Sequence, residues 1–244
     1  MRLTITLQRF NPEQDAKPHD EELRLDVRRG ATVLDLLIRV KNELDGSLAL
    51  RYSCRSAICG SCAMTINGGE KLACRTSVRR ELERHGELRI APLQHLPVIK
   101  DLVVDMRPFW GKIRDITPWL STASAVPATH NPGSSGSGYH NVDACIMCGA
   151  CVGACTVHAV SPGFAGPAAL AKVDRFLSDP REPEKLKRAR LAVLQEANGM
   201  WDCTRCNYCV EVCPKDVKPM EAIIRLRRAA ASGLNIPFTY PAYS

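Results

Sequence analysis

Aromatic residues are scarce, at 5% of 244 positions. No run of about eighteen apolar residues occurs, which excludes a membrane-spanning helix. The opening stretch MRLTITLQRF alternates polar and apolar residues and lacks the continuous apolar segment of a secretory signal. A reducing compartment is therefore expected, in which cysteines stay as thiols. A Gly-rich dinucleotide fingerprint is missing too, since Gly133 to Gly138 lies in a Pro/Ser tract and not between a strand and a helix. No nucleophile–base constellation and no carboxylate-clamping set of arginines is evident. Hydride chemistry would have to occur elsewhere, on a cofactor suited to it. What is present suffices for a folded core: 45% apolar and 24% charged residues.

Cysteine is abundant. The twelve cysteines fall into three sets of four with none left over. Cys54, Cys59, Cys62 and Cys74 read C-x4-C-x2-C-x11-C. Cys145, Cys148, Cys151 and Cys155, and then Cys203, Cys206, Cys209 and Cys213, both read C-x2-C-x2-C-x3-C. The first spacing suits a plant-type [2Fe–2S] centre, which takes three thiolates from one tight loop and a fourth from further along. The second suits [4Fe–4S] centres, whose fourth cysteine ligates the other cluster in two-cluster ferredoxins. The crossed assignment gives Cys145, Cys148, Cys151 and Cys213 to one cubane and Cys203, Cys206, Cys209 and Cys155 to the other. Zinc is the plainer alternative, but it favours two C-x2-C pairs split by a longer loop over evenly spaced runs of three.

Residues 1–105 read as an α+β unit. Leu3, Ile5, Leu7 and Leu23, Leu25, Val27 alternate with polar residues as two paired strands. Thr32 to Asp35 has the form of a capping box ahead of Val33, Leu36, Leu37 and Val40. Ala63 to Ile66 precedes Asn67-Gly68-Gly69, a hairpin signal. This order of strands, helix and cysteine loop is that of a β-grasp, plant-type ferredoxin domain. Residues 106–140 read as a linker, Pro-interrupted and ending in the flexible tract Pro132 to Gly138. Phe109, Trp110, Ile113, Trp119 and Leu120 suggest that its first half packs on a surface. Residues 141–244 read as a mainly helical domain holding both cubanes. Its helices are expected at Ala168–Leu177, at Glu184–Asn198 with Leu186, Val193 and Leu194 inward, and at Pro219–Ala231.

The stretches RYSCRSAICGSCAMTINGGEKLAC, LPVIKDLVVDM, SPGFAGPAALAKVDRFLSD and CVEVCPKDVKP resemble the iron–sulfur subunit of succinate dehydrogenase and fumarate reductase. The resemblance covers nearly all of the chain outside 121–140. It implies an N-terminal [2Fe–2S] domain, a C-terminal bacterial-ferredoxin-like domain at 141–244, and an electron-transfer subunit with no catalytic residues of its own. Electrons would pass between an FAD-containing flavoprotein and a quinone-reactive, membrane-associated partner. The chain would then sit peripherally on the cytoplasmic side of the cell membrane.

The sequence departs from that family's common pattern at two places. Many members carry a [3Fe–4S] third centre, with an apolar or hydroxyl residue at the second cysteine of the last run. Here that position is Cys206, so a second [4Fe–4S] cluster is expected, with [3Fe–4S] the lesser alternative. Thr156 follows Cys155 where proline is usual, and Thr204 stands where histidine is often found. Both departures resemble a non-classical branch, whose partner is a further cysteine-rich subunit in place of a haem-bearing anchor. His158 is read as a packing or hydrogen-bonding residue, and Trp201-Asp202 as a shield for the third cluster.

The charge balance is +7. Residues 1–105 hold 17 basic and 15 acidic residues, and 106–244 hold 16 and 11. The surplus lies with the proposed cubanes and partly compensates their negative charge. No concentrated basic stripe or nucleic-acid module accompanies it. Arg225, Arg227 and Arg228 are read as a solvated face. The rival functions are a soluble polyferredoxin-type carrier and the cluster subunit of another flavin dehydrogenase; LPVIKDLVVDM and SPGFAGPAAL argue for a fixed subunit, since a shuttle needs no such scaffold.

Overall fold

The computed structural model describes residues 2–120, 141–179 and 181–233. The tract read as flexible at Pro132 to Gly138 falls outside them. The chain divides into two compact units: residues 1–108 with 146–154, and residues 109–145 with 155–244. No helix among the described residues is long and apolar enough to cross a membrane.

The first unit is built on a five-stranded sheet of order β2-β1-β5-β3-β4. Strands β1 (Arg2–Arg9) and β2 (His19–Asp26) pair antiparallel, with Ile5 opposite Leu23 and Leu3 opposite Leu25. The alternation seen in the sequence sends Ile5 and Leu7 into the core, both fully buried. Helix α1 (Val33–Arg39) starts as its capping box requires. Thr32 Oγ1 accepts the Asp35 amide at 3.2 Å, and Asp35 Oδ2 accepts the Thr32 amide at 3.0 Å.

Strands β3 (Ala63–Ile66) and β4 (Gly69–Leu72) form the expected hairpin. Its two-residue turn has Asn67 at φ 49° and Gly68 at φ 76°. Positive φ at both central residues matches the right-handed twist of the flanking strands. Helix α2 (Val78–His85) and strand β5 (Arg89–Ala91) complete the sheet, with β5 parallel to β1 and antiparallel to β3.

The LPVIKDLVVDM stretch forms a small hairpin of β6 (Val98–Lys100) and β7 (Val103–Val104). Asp101 at its turn is 2% exposed and accepts from Arg9 Nε at 3.0 Å and from the amides of Phe10 at 3.1 Å and Ala49 at 2.8 Å. A buried carboxylate held by three donors fixes the end of β1 against the chain that leads into the first cysteine loop.

After α3 (Arg107–Asp115), the second unit is helical: α5 (Thr156–Val160), α6 (Pro167–Leu177), α7 (Glu184–Val193), α8 (Tyr208–Glu211) and α9 (Pro219–Ala231). The short α4 (Ala150–Gly153) belongs to the first unit. Both α6 and α9 begin with proline in the first turn, where a missing amide costs nothing. They pack against each other, with Ala171 of α6 and Ala222 of α9 in one buried cluster; Leu170 and Leu177 on α6 and Ile223, Leu226 and Ala229 on α9 are buried as well. Asp174 and Arg225 meet inside this contact, with Arg225 Nη2 at 2.6 Å and Nε at 3.0 Å from Asp174 Oδ2. Burial pushes the Asp174 carboxyl up to about 6, and the Arg225 guanidinium opposes that shift.

Several side chains lie elsewhere than the sequence suggested. Helix α7 ends at Val193, five residues early, and Val193 is 61% exposed while Leu191 and Leu194 are buried. Arg190, which the spacing puts on the outer side of this helix with Lys185, Lys187 and Arg188, does not lie there. It pairs with buried Glu182 at 2.7 Å, covers the Phe176 ring at 4.5 Å, and donates to the carbonyls of Ile116, Thr117 and Trp119. Phe109, Ile113 and Ile116 are buried, but Trp110 and Trp119 are exposed. Of the three arginines on α9, only Arg228 is an exposed residue; Arg225 holds Asp174, and Arg227 donates to the carbonyls of Met200, Trp201 and Cys203.

Removing Arg225 strands a buried carboxylate. Arg225→Ala is expected to cost about 3–5 kcal/mol in thermal unfolding, with much of the loss recovered when Asp174→Leu is combined with Arg225→Met. Equal melting temperatures for Arg225→Ala and the unsubstituted protein would contradict this.

Candidate metal centres

The first cysteine loop is shaped by backbone strain. Arg55 at φ 56° and Ala57 at φ 55° adopt a conformation costing roughly 1–2 kcal/mol per non-glycine residue. The gain is the direction of the amides. Those of Ser56, Ile58 and Cys59 each reach Cys54 Sγ at 3.3 Å, and that of Ala57 reaches Cys74 Sγ at 3.3 Å. The hydroxyl of Ser61 and then the Cys54 backbone draw the Cys59 thiol down to about 6. Burial pushes Cys62 up to about 12, and neighbouring Cys74 and Cys59 add negative charge to it. The four thiols of this set are thus close neighbours at one end of β3 and β4.

The repeated C-x2-C-x2-C-x3-C spacing is also a repeat of backbone conformation. Met147 and Arg205 have φ of 57° and 59°, and Gly149 and Asn207 have φ of 82° and 72°, at matching places in the two runs. Each run then turns into a single helical turn, α4 in the first and α8 in the second, with that left-handed Gly or Asn as its cap. Glycine and asparagine are the residues that accept this conformation most readily.

Cys148 and Cys151 belong to the first unit, where Gly60 meets Cys148. A Cβ on Gly60 would lie 2.8 Å from Cys148 Cβ and 3.1 Å from the Ile146 carbonyl oxygen, and Gly60 has φ 73°. The loop of the first cysteine set therefore touches the backbone of the second, and only glycine allows it. Beyond Cys151, Gly153 gives room to Glu70 of β4, whose Cγ lies 2.8 Å from where a Cβ would stand.

Cys145 and Cys213 belong to the second unit and pack against one apolar cluster of Val142, Ala171, Val217 and Ala222. Cys155, Cys203, Cys206 and Cys209 belong there too and lie near one another. Burial raises the Cys155 thiol, and the nearby Cys206 and Cys203 raise it further. Burial pushes Cys209 up to about 12, again with Cys203, Cys155 and Cys206 contributing. The His158 amide donates to Cys155 Sγ at 3.5 Å, the Arg205 amide to Cys203 Sγ at 3.4 Å, and Thr156 Oγ1 to Cys206 Sγ at 3.7 Å. His158 itself is buried, and its main-chain amide is the donor to Cys155. Lys112 lies near Cys155, and its ammonium is tied to the carbonyls of Pro162 and Phe164. Trp201 is about half exposed and carries Arg227 on its ring at 5.4 Å; Met200 is the buried residue of that turn.

None of the twelve cysteines is joined in a disulfide. No group of three or more His, Cys, Asp or Glu among the described residues is gathered to hold a single metal ion. The fit to multi-iron centres rests on the donor chemistry: thiols in three sets, with amides and hydroxyls aimed at the sulfurs.

Comparisons with known proteins agree. A 2Fe-2S iron-sulfur cluster binding domain matches residues 4–111, and a 4Fe-4S dicluster domain matches residues 141–217. The fumarate reductase iron-sulfur subunit of Haemophilus influenzae is 37% identical over 235 residues, covering 91% of this chain and 90% of that protein. The chain belongs to the iron–sulfur subunits of succinate dehydrogenase and fumarate reductase. A mitochondrial succinate dehydrogenase iron-sulfur subunit of Oryza sativa is 34% identical, covering 92% of this chain and 81% of that protein. Among solved structures, a chain of the Mycobacterium smegmatis Sdh1 complex in the apo form is 25% identical with a TM-score of 0.82, covering 98% of this chain and 99% of that one.

The cysteines of this family member were found by counting; the contact of Gly60 was not. A glycine between Cys59 and Ser61 reads only as a loop residue, because its partner lies 88 residues away at Cys148. Gly60→Ala is expected to lower thermal stability, by roughly 1–2 kcal/mol from its φ alone, and to reduce bound iron. Unchanged melting and iron content would show that the loop has room to spare.

Proposed function

We propose that this chain is the electron-relay subunit of a succinate:quinone or quinol:fumarate oxidoreductase. It takes electrons from an FAD-containing flavoprotein and delivers them to a quinone-reactive, membrane-associated partner, or carries them in reverse. The observation that carries the reading is three four-cysteine sets, none of them in a disulfide, with main-chain amides and a hydroxyl turned onto sulfurs. The chain contributes no catalytic side chain to the dicarboxylate chemistry.

The proposed ligands follow the spacing. Cys54, Cys59, Cys62 and Cys74 hold a [2Fe–2S] cluster within a β-grasp domain at 1–105. Cys145, Cys148, Cys151 and Cys213 hold one [4Fe–4S] cluster, and Cys155, Cys203, Cys206 and Cys209 the other, within a ferredoxin-like domain at 141–244. The joint packing of Cys145 and Cys213 on one apolar cluster supports the first assignment, and the mutual proximity of the other four thiols supports the second.

Such clusters supply one-electron carriage, which lets the two-electron product of a flavin be divided. This chain's own residues fix the thiolates, shield Cys62, Cys155 and Cys209 from water, and neutralise negative charge with amides. Peripheral attachment on the cytoplasmic side of the membrane goes with the same reading.

Native purification tests it. The chain is expected to emerge with a flavoprotein, and succinate is expected to reduce its EPR-active centres in that complex. A protein that emerges alone and is not reduced by succinate would favour a soluble carrier. Cys206→Ala is expected to create a strong oxidised three-iron EPR signal that the unsubstituted protein lacks. The same signal in the unsubstituted protein would overturn the ligand role of Cys206.

A further inference from the structure

The four thiols of the last set are not alike. Cys155 and Cys209 are buried, Cys203 is intermediate and Cys206 is exposed. An exposed thiolate has water as its natural hydrogen-bond partner. Cys155 and Cys203 instead accept the main-chain amides of His158 and Arg205. Cys206 differs again, because side chains address it. Thr156 Oγ1, on the first residue of α5, donates to Cys206 Sγ at 3.7 Å, a distance suited to the larger sulfur atom. A second hydroxyl, that of Thr204, and the Tyr208 amide also reach this thiol.

Thr156 comes from a different run of the chain, 50 residues before Cys206. Its place is set by Cys155, whose own sulfur caps α5 by accepting the His158 amide. The residue that follows one thiol of the set is therefore directed at another. Proline there would leave Cys206 without this donor.

We propose that Thr156 is a positioning residue for the last cluster: its hydroxyl holds the Cys206 thiolate and raises the midpoint potential of the centre that thiolate ligates. This rests on the reading above that Cys206 is a ligand. One-electron reduction adds a negative charge that spreads onto the sulfurs, so a hydrogen bond donated to a thiolate strengthens on reduction. Hydrogen bonds to the sulfurs are among the determinants of cluster potential. A valine at this position keeps the shape of threonine and removes the donor.

The test is an EPR-monitored redox titration of the intact complex carrying Thr156→Val or Thr156→Ser. In the valine variant the reduced-to-oxidised ratio of the last [4Fe–4S] centre at a fixed potential is expected to fall about tenfold, which for a one-electron couple is about 59 mV in the negative direction. The serine variant restores the original potential, and the [2Fe–2S] potential stays unchanged in both. A four-iron centre whose potential is the same in the valine variant overturns the role of Thr156 and leaves the ligand assignment standing. A three-iron signal in the unsubstituted protein removes the ligand assignment, and the proposal with it.

Discussion

The structure depends on one interaction, the main-chain amide donated to a cysteine sulfur. A thiolate gathered with three others is a concentration of negative charge, and amides fixed in the backbone neutralise it without adding a titratable group. Aiming several amides at one sulfur requires the chain to turn more tightly than ordinary residues allow. The left-handed residues Arg55, Ala57, Met147 and Arg205 are the consequence. Strain of this kind persists only where the surroundings over-determine it.

The rest of each unit supplies that surrounding. In the first unit, Asp101 locks the end of β1 to the approach of the cysteine loop, and the β3–β4 hairpin carries Cys62 and Cys74 at its ends. In the second unit, the α6–α9 contact with its buried Asp174–Arg225 pair gives a firm base. From α9, Arg227 reaches the carbonyl of Cys203 itself. A relay needs this rigidity, because its centres must keep their environment through each change of charge.

Much of this was legible in the sequence because it is local. Cysteine spacing, the capping box at Thr32, the Asn67-Gly68 turn, the alternation of β1 and β2, and the proline starts of α6 and α9 each depend on a few neighbouring residues. Helix α2 was not legible. Its sequence VRRELERH offers Val78 as its one buried apolar residue, and its inner face is instead Glu81, which takes Lys71 at 2.8 Å. The inward turn of Arg190 and the tight approach of Gly60 to Cys148 were hidden for the same reason. Each is decided by a partner remote in sequence, and hydrophobic periodicity carries no record of such a partner.

The most direct measurement is iron and acid-labile sulfide content with native thiol titration, on protein purified without oxygen. The account predicts about ten irons per chain and cysteines that do not titrate until the metal is removed. Colourless protein in which every thiol reacts freely would contradict it.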